Sequence, residues 1–291
     1  MLFVVHVALT SIVPPFGINP ALRNELEAAI RGSTNANRKL QTSEKFWGPD
    51  ADRGFWTIFI RNAILRENPA LDPTEVFEWA NVWYLVCSEV GEDIPLTLAM
   101  ARVESAAWET MGGRHVFVGF NPHAVSPKGA IGLFQLMIPT AREVADKLGI
   151  YYNKSVRSPY DAIMSVSSDT SSSLDAKRKL IWKIILKHIE RYPGSIEAVT
   201  LNPIDNIKMG IYYFAHLGPA KRGELSLEAR IESYNAGFVG HLRGWRHEET
   251  VLYSEKVMSR YGVYKNEADS ARLNLLADRP APEMSLTFSA E

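Results

Sequence analysis

Apolar residues recur with a helical period in a segment that begins near residue 72. Asp72 and Pro73 are typical of a helix N-cap and first turn, and Gly91 is typical of a helix end. Between them the apolar positions are spaced by about 3.6 residues, which predicts a helix that packs one face inward. These positions are Val76, Trp79, Trp83 and Val86 or Cys87. We therefore expect both tryptophans in the core rather than on a sugar-binding surface.

A second apolar helix follows and ends beside a single carboxylate. It begins at Asp93-Ile94-Pro95, and its apolar face leads to Glu104 in the segment "RVESAAW", residues 102 to 108. Burial raises the pKa of a carboxyl group, so such a residue can hold a proton near neutral pH and donate it. Glu104 is therefore a candidate general acid. The alternative is a surface glutamate that pairs with Arg102 or another basic residue.

The remaining pattern is mainly helical. A capping box at Thr140 to Glu143 predicts a helix after the glycine-rich segment 121 to 137. A serine-rich loop and a basic amphipathic helix at about 174 to 192 lie in the segment 151 to 198. Three further helical units follow. The predicted fold class is mainly α, with at most a small β-hairpin near residues 115 to 137.

The N-terminal segment "LFVVHVALTSIV", residues 2 to 13, is apolar but short. A bilayer span needs about 20 residues, so this segment is too short to cross a membrane. No Lys or Arg precedes it, which favours a packed strand or short helix. The apolar region of a signal peptide is the alternative.

Composition and charge are those of an ordinary globular protein. Of 291 residues, 46% are hydrophobic and 22% charged, and the formal net charge is −1. This balance provides no global field that would favour nucleic acid as a partner. The single cysteine, Cys87, lies in an apolar helical stretch and is expected to be a buried, inert thiol.

The sequence argues against several kinds of chemistry. The seven histidines are scattered without metal-ligand spacing, so no metal is expected. No nucleophile-elbow motif occurs, and the stretch Gly129 to Gly132 is too short to cradle phosphates. Acid/base catalysis on a carboxylate remains, and it requires no cofactor.

Four short motifs then occur in order. They are "ES" at 104 to 105, "NPHAVSPKGAIGLFQLM" at 121 to 137, "SYNAG" at 233 to 237 and "ETVLYSEKV" at 249 to 257. Together they resemble the catalytic domain of the soluble lytic transglycosylase (SLT) family, which has a lysozyme-like fold. The resemblance covers roughly residues 74 to 262. It implies an N-terminal extension at 1 to 73, an insertion at about 151 to 198 and a C-terminal tail at 263 to 291.

The resemblance implies a set of site residues. Glu104 matches the family's single catalytic acid, and Ser105 matches the serine that follows it and faces the substrate. Phe134 stands where the family usually has methionine, directly before the matching glutamine. The remaining implied substrate-binding residues are Gln135, Met137, Tyr234, Asn235 and Tyr253.

The implied activity is cleavage of the β-1,4 bond between N-acetylmuramic acid and N-acetylglucosamine, which leaves a 1,6-anhydro end. The substrate would be the glycan strands of peptidoglycan, in the periplasm, the cell envelope or a phage particle. A muramidase similar to goose-type lysozymes is the alternative enzyme. A peptidoglycan-binding assembly protein of a secretion machine or phage particle is the alternative from another class.

Three features depart from the family pattern. The extra stretch 109 to 120 predicts a loop over the cleft, where Trp108, Phe117 or Phe120 either stacks on sugar or is buried. Glu109 and Glu232 are the candidates for a second acid, although pairing with Glu228 favours a solvated face for Glu232. The basic helix of the insertion is either a solvated face or a lid that contacts the acidic stem peptides of peptidoglycan.

Overall fold

The computed structural model describes residues 49–111, 114–217, 225–236 and 248–277. The predicted N-terminal strand or helix at 2 to 13 lies outside these residues. Within the described part the chain is mainly helical, with one two-stranded sheet, which confirms the predicted fold class. The helices are α1 (Pro49–Glu67), α2 (Pro73–Val90), α3 (Ile94–Ser105), α4 (Ile138–Leu148), α5 (Tyr160–Ser168), α6 (Leu174–Arg191), α7 (Ile196–Leu201), α8 (Pro203–His216), α9 (Leu227–Ala236) and α10 (Glu248–Ala277), and the strands are β1 (Ala107–Met111) and β2 (Arg114–Val118).

The ends of α2 and the start of α3 follow the predicted local signals. The Asp72 carboxylate accepts hydrogen bonds from the backbone amides of Thr74 at 2.8 Å and Glu75 at 3.0 Å. Gly91 ends α2 in the left-handed region, with φ of 74°. Asp93 caps α3 by accepting a hydrogen bond from the Leu96 amide at 3.2 Å. These capping bonds fix the residues at which α2 and α3 begin.

The core forms around α2 and α3. Helices α1 and α8 pack against α2, and α10 packs against α3. Trp79 and Trp83 are 4% and 0% exposed, which confirms that both belong to the core. The Trp83 ring lies 5.4 Å from the Phe134 ring, and its indole nitrogen donates to Thr97 Oγ1 at 2.8 Å. The core therefore joins α2 and α3 to the glycine-rich segment.

A β-hairpin replaces the predicted loop at 109 to 120 and begins before the hairpin predicted near 115 to 137. Strands β1 and β2 are antiparallel and pair Ala107 with Val118. The sequence has β-branched residues in both strands and Gly112-Gly113 between them, which is a pattern typical of a tight hairpin. Phe120 is fully buried, whereas Phe117 is 44% exposed and lies under the Arg102 guanidinium.

The helix after the glycine-rich segment begins earlier than predicted. Helix α4 starts at Ile138, with Met137 as N-cap and no side-chain capping bond. Thr140 is therefore inside the first turn, and the predicted capping box is wrong. Glu143 instead accepts a hydrogen bond from Lys147 at 2.5 Å, one turn along the helix.

The insertion at 151 to 198 folds as helices and packs on the glycine-rich segment. The predicted basic helix is α6, which buries Ile181 and Ile185. A Cβ atom on Gly129 would lie 2.4 Å from Ile163 of α5, so the two segments touch closely. The Trp182 ring lies 5.9 Å from the His123 ring. The insertion therefore supports the segment that carries the predicted site.

The body of the protein extends beyond the family-like segment on both sides. Helix α1, within the predicted N-terminal extension, packs against α2. At the other end α10 runs to Ala277 and buries Tyr264 and Ala268. The boundaries at 74 and 262 stay predictions. No helix in the described ranges is both long enough and apolar enough to cross a membrane.

Candidate active site

Glu104 lies in the last turn of α3, where the buried helix reaches the surface. The helix is buried from Ile94 to Ala101, and although Glu104 keeps some contact with solvent, protein atoms surround its carboxyl group. Burial raises the pKa of the Glu104 carboxyl from 4.5 to about 7. A carboxyl with this pKa is partly protonated at neutral pH, so it can both donate and accept a proton.

Arg102 does not neutralise this carboxyl. Its Nε atom pairs with Glu67 Oε2 at 2.9 Å, and both side chains are largely buried. Glu67 also accepts hydrogen bonds from Arg260 at 3.0 Å and from the Tyr264 hydroxyl at 3.1 Å. The guanidinium is thus committed to a network that joins α1, α3 and α10. A Glu104–Arg102 ion pair, the alternative considered from the sequence, is not formed.

Tyr253 lies beside Glu104 and contributes to its electrostatics. The side chain comes from α10 and is 7% exposed. Its hydroxyl is close enough to lower the pKa of Glu104, against the larger effect of burial. Within the described residues, the Tyr253 hydroxyl has no hydrogen-bond partner at standard geometry. Catalytic hydrogen bonds are often long without substrate and shorten in the complex.

The glycine-rich segment 121 to 137 forms a closed loop, which we call the motif loop. Gln135 adopts a left-handed conformation, with φ of 45°. Its side-chain Nε2 donates to the carbonyl oxygens of Ala124 at 2.9 Å and Gly132 at 2.8 Å. Gln135 thus cross-links the motif loop through its amide nitrogen. Its predicted contact with sugar stays a prediction.

Side chains from two helices, α8 and α9, form hydrogen bonds with the backbone of the motif loop. The buried Asn206 of α8 accepts a hydrogen bond from Phe134 N at 2.8 Å and donates one to Ile131 O at 3.1 Å. The Tyr234 hydroxyl of α9 donates to Phe134 O at 2.8 Å. Asn206 is a positioning residue that the sequence did not reveal, because no local pattern distinguishes it from other helix-interior asparagines.

The other predicted site residues occupy different environments. Ser105 is fully buried and its hydroxyl donates to Ala101 O at 2.6 Å, and its predicted position facing the substrate stays a prediction. The hydroxyl is used inside its own helix, as is common for serine near a helix end. Met137, the last residue of the motif loop, is partly exposed, and Asn235 is exposed on α9. Tyr234 is 9% exposed, and burial and the Glu104 charge raise its pKa.

The candidates for a second acid differ from expectation. Glu232 is 4% exposed, so the predicted solvated face is wrong; its helix packs against α10 and buries it. Glu109 lies in β1. In the described part of the chain, burial and the Tyr253 hydroxyl are the causes of the shifted Glu104 pKa, and no second carboxylate contributes.

The described residues contain no group of three or more His, Cys, Asp or Glu side chains that could hold a metal ion. Cys87 is buried, as predicted, and burial raises the pKa of its thiol to about 12. The groups near Glu104 that can exchange protons with it include the Tyr253 hydroxyl.

Residues 118–168 match the family model described as "Transglycosylase SLT domain". The match confirms the resemblance predicted from the four motifs. It spans the motif loop, α4 and α5, and it indicates a glycan-cleaving function of the transglycosylase type, directed at peptidoglycan. Glu104, Tyr234 and Tyr253 lie outside the matched range. No curated protein matches the chain.

Proposed function

We propose that the protein is a lytic transglycosylase that cleaves the β-1,4 bond between N-acetylmuramic acid and N-acetylglucosamine in peptidoglycan. The observation that carries the proposal is the Glu104 carboxyl, whose pKa burial raises to about 7, at the end of a buried helix. The match of the motif loop to a transglycosylase domain supplies the class of substrate. Cleavage would take place wherever the protein meets the wall, in the periplasm or envelope or from a phage particle.

The mechanism uses one carboxyl group twice. Protonated Glu104 donates its proton to the glycosidic oxygen as the bond between that oxygen and C1 breaks. The substrate's N-acetyl group stabilises the positive charge at C1. The Glu104 carboxylate then removes the proton of the C6 hydroxyl while O6 attacks C1. This closes the 1,6-anhydro ring and returns the proton to Glu104.

Tyr253 tunes this proton transfer. Its hydroxyl favours the charged form of Glu104, which opposes the effect of burial. The hydroxyl would therefore stabilise the carboxylate that forms after the first proton transfer. Asn235 and Met137 are at least partly exposed, and we propose that both contact the sugar.

We favour the transglycosylase over a two-carboxylate hydrolase because the motif loop matches a transglycosylase domain. A retaining hydrolase would need a second carboxyl group about 5–5.5 Å from the first. The side chain of Glu109, one candidate for such a group, lies outside the described residues. The intramolecular C6 hydroxyl can replace the water that a second carboxylate would activate.

The test is Glu104→Gln on purified sacculi, with Glu190→Gln as a matched control. Glu190 is an exposed glutamate on α6, so its change should leave activity intact. Glu104→Gln should fold normally and lose nearly all activity, because an amide cannot exchange the proton. Mass analysis of the fragments that the wild-type protein releases should find 1,6-anhydromuramic ends. Reducing ends would favour a muramidase, and activity within a few-fold of wild type would exclude Glu104 as the acid.

A further inference from the structure

A cavity of about 660 Å³ lies between the start of α4 and the segment that leads into α5. Its volume falls in the range of about 300–1,000 Å³ that is typical of ligand-binding pockets. Its wall on α4 begins at Ile138, directly after Met137, where the motif loop ends. The lining of the cavity therefore follows the motif loop directly in the sequence. None of the lining residues belongs to the proposed catalytic set.

The lining combines apolar surface with an excess of positive charge. Ile138, Pro139, Val156, Tyr152 and Tyr160 provide apolar and aromatic surface. Three basic side chains also line the cavity, against two acidic ones: Arg142, Lys154 and Arg157 against Asp146 and Asp161. A cavity with this composition favours a ligand that carries more carboxylates than amines.

Internal contacts hold part of this lining in place. Asp146 accepts hydrogen bonds from the Tyr152 hydroxyl at 3.2 Å and pairs with Lys154 at 2.7 Å. Arg157 and Asp161 form a pair at 3.4 Å. Both pairs are well exposed to solvent and therefore weak, so a ligand carboxylate can replace Asp146 beside Lys154 or Asp161 beside Arg157.

Arg142 is the lining cation that is most available to a ligand. It is exposed on α4, and no ion pair joins it to another described residue. Its charge contributes to lowering the pKa of Asp146, so it lies close to the paired residues. An arginine can bind a carboxylate with two parallel hydrogen bonds, which a lysine cannot do.

We propose that this cavity binds the peptide stem of peptidoglycan, with Arg142 as the principal carboxylate ligand and the tyrosines packing on the peptide. The inference rests on the proposed function for the identity of the peptide. A stem peptide carries several carboxylates and fewer amines, which matches the excess of basic lining residues. The cavity would thus recognise glycan that still carries its peptide.

The basic helix α6, which the sequence suggested as a lid for the same peptides, is less suited to this role. The Lys177 ammonium donates to Ser167 O at 2.8 Å. None of its basic residues lines the cavity. Lys183 is exposed on α6 and provides a matched cation outside the site.

The experiment is a calorimetric titration of the full chain with the free stem tetrapeptide L-Ala–γ-D-Glu–meso-diaminopimelate–D-Ala at low salt. Saturable binding is expected. Arg142→Ala should weaken it at least fivefold, whereas Lys183→Ala should change it less than twofold. The same peptide with its carboxylates amidated should also bind at least fivefold more weakly.

Two results would overturn the proposal: no saturable binding at millimolar peptide, or equal affinities for wild type, Arg142→Ala and Lys183→Ala. Circular dichroism of each variant establishes that it is folded. The titration involves no glycan cleavage. Its outcome is therefore separate from that of Glu104→Gln on sacculi, and either proposal can fail while the other stands.

Discussion

The side-chain oxygen of Asn206 accepts a hydrogen bond from the backbone amide of Phe134 at 2.8 Å, although the two residues are 72 positions apart. The side-chain nitrogen of Asn206 donates to Ile131 O at 3.1 Å and to Thr200 O at 2.8 Å. One fully buried amide thus fixes the motif loop against α8.

Asn206→Leu should destabilise the protein strongly, because it leaves the buried Phe134 N and Thr200 O without the partner that Asn206 supplies, whereas Ile131 O keeps its bond from Leu136 N. Each unsatisfied buried group costs about 1–3 kcal/mol. For a domain of this size, each kcal/mol lowers the melting temperature by about 2–4 °C. Calorimetry should therefore show a clear drop. The control Lys208→Ala, on the same helix, should change the free energy of unfolding by about 0.5 kcal/mol or less; a similar drop in both would contradict the role of Asn206.

Two glycines in helices should respond to alanine in opposite directions. A Cβ on Gly210 of α8 would lie 2.2 Å from Phe134 Cγ, so Gly210→Ala forces the ring to move and should cost about 1–3 kcal/mol. A Cβ on Gly262 of α10 would meet nothing within 4 Å, so Gly262→Ala should stabilise the protein by about 0.5–1 kcal/mol. Urea unfolding of both variants measures the difference. Shifts of the same sign would show that Phe134 is not packed against Gly210.

The stability of the wild type should depend on the ionisation of Glu104. Its pKa is about 7 when folded, against an ordinary value of 4.5, so the folded state retains a proton that the unfolded state has lost. Stability therefore falls as pH rises from about 4.5 to about 7 and stays reduced above that. Glu104→Gln removes the ionisable group and therefore also this fall in stability with rising pH. It should raise the free energy of unfolding at pH 8 by on the order of 1–3 kcal/mol relative to wild type, with a much smaller gain at pH 4.5. Equal gains at both pH values would contradict the raised pKa.

Tyr253→Phe should shift the pH dependence of cleavage without unfolding the protein. The hydroxyl lowers the pKa of Glu104, so its removal leaves burial unopposed and raises that pKa further. Because the first step needs protonated Glu104, the decline in kcat at high pH should move to higher pH, while the maximum falls. The hydroxyl has no standard hydrogen-bond partner among the described residues, so the melting temperature should not drop. An unchanged pH profile would place the hydroxyl away from Glu104.

Cys87 should react with a thiol reagent only after unfolding. Its side chain is 1% exposed and the pKa of its thiol is raised to about 12, so the reactive thiolate is scarce and inaccessible. Labelling with a chromogenic disulfide should be slow in buffer and fast in denaturant. Fast labelling of the native protein would mean that α2 opens readily.

The sequence by itself determined both ends of α2, the start of α3 and the face that α2 buries. Asp72, Asp93 and Gly91 act through backbone groups a few residues away, so their effect can be predicted without the fold. The apolar period placed Trp79 and Trp83 in the core for the same reason. It also placed Glu104 at the edge of a buried face, which is the basis of its predicted chemistry.

Tertiary structure decided which polar groups those helices bring together. Glu232 was expected on a solvated face, but packing of α9 against α10 buries it. The Tyr234 hydroxyl donates to Phe134 O, 100 positions away. The Asn206 side chain likewise bonds to Phe134 N, 72 positions away. Such contacts depend on distances between segments remote in the chain, which local periodicity and capping do not encode.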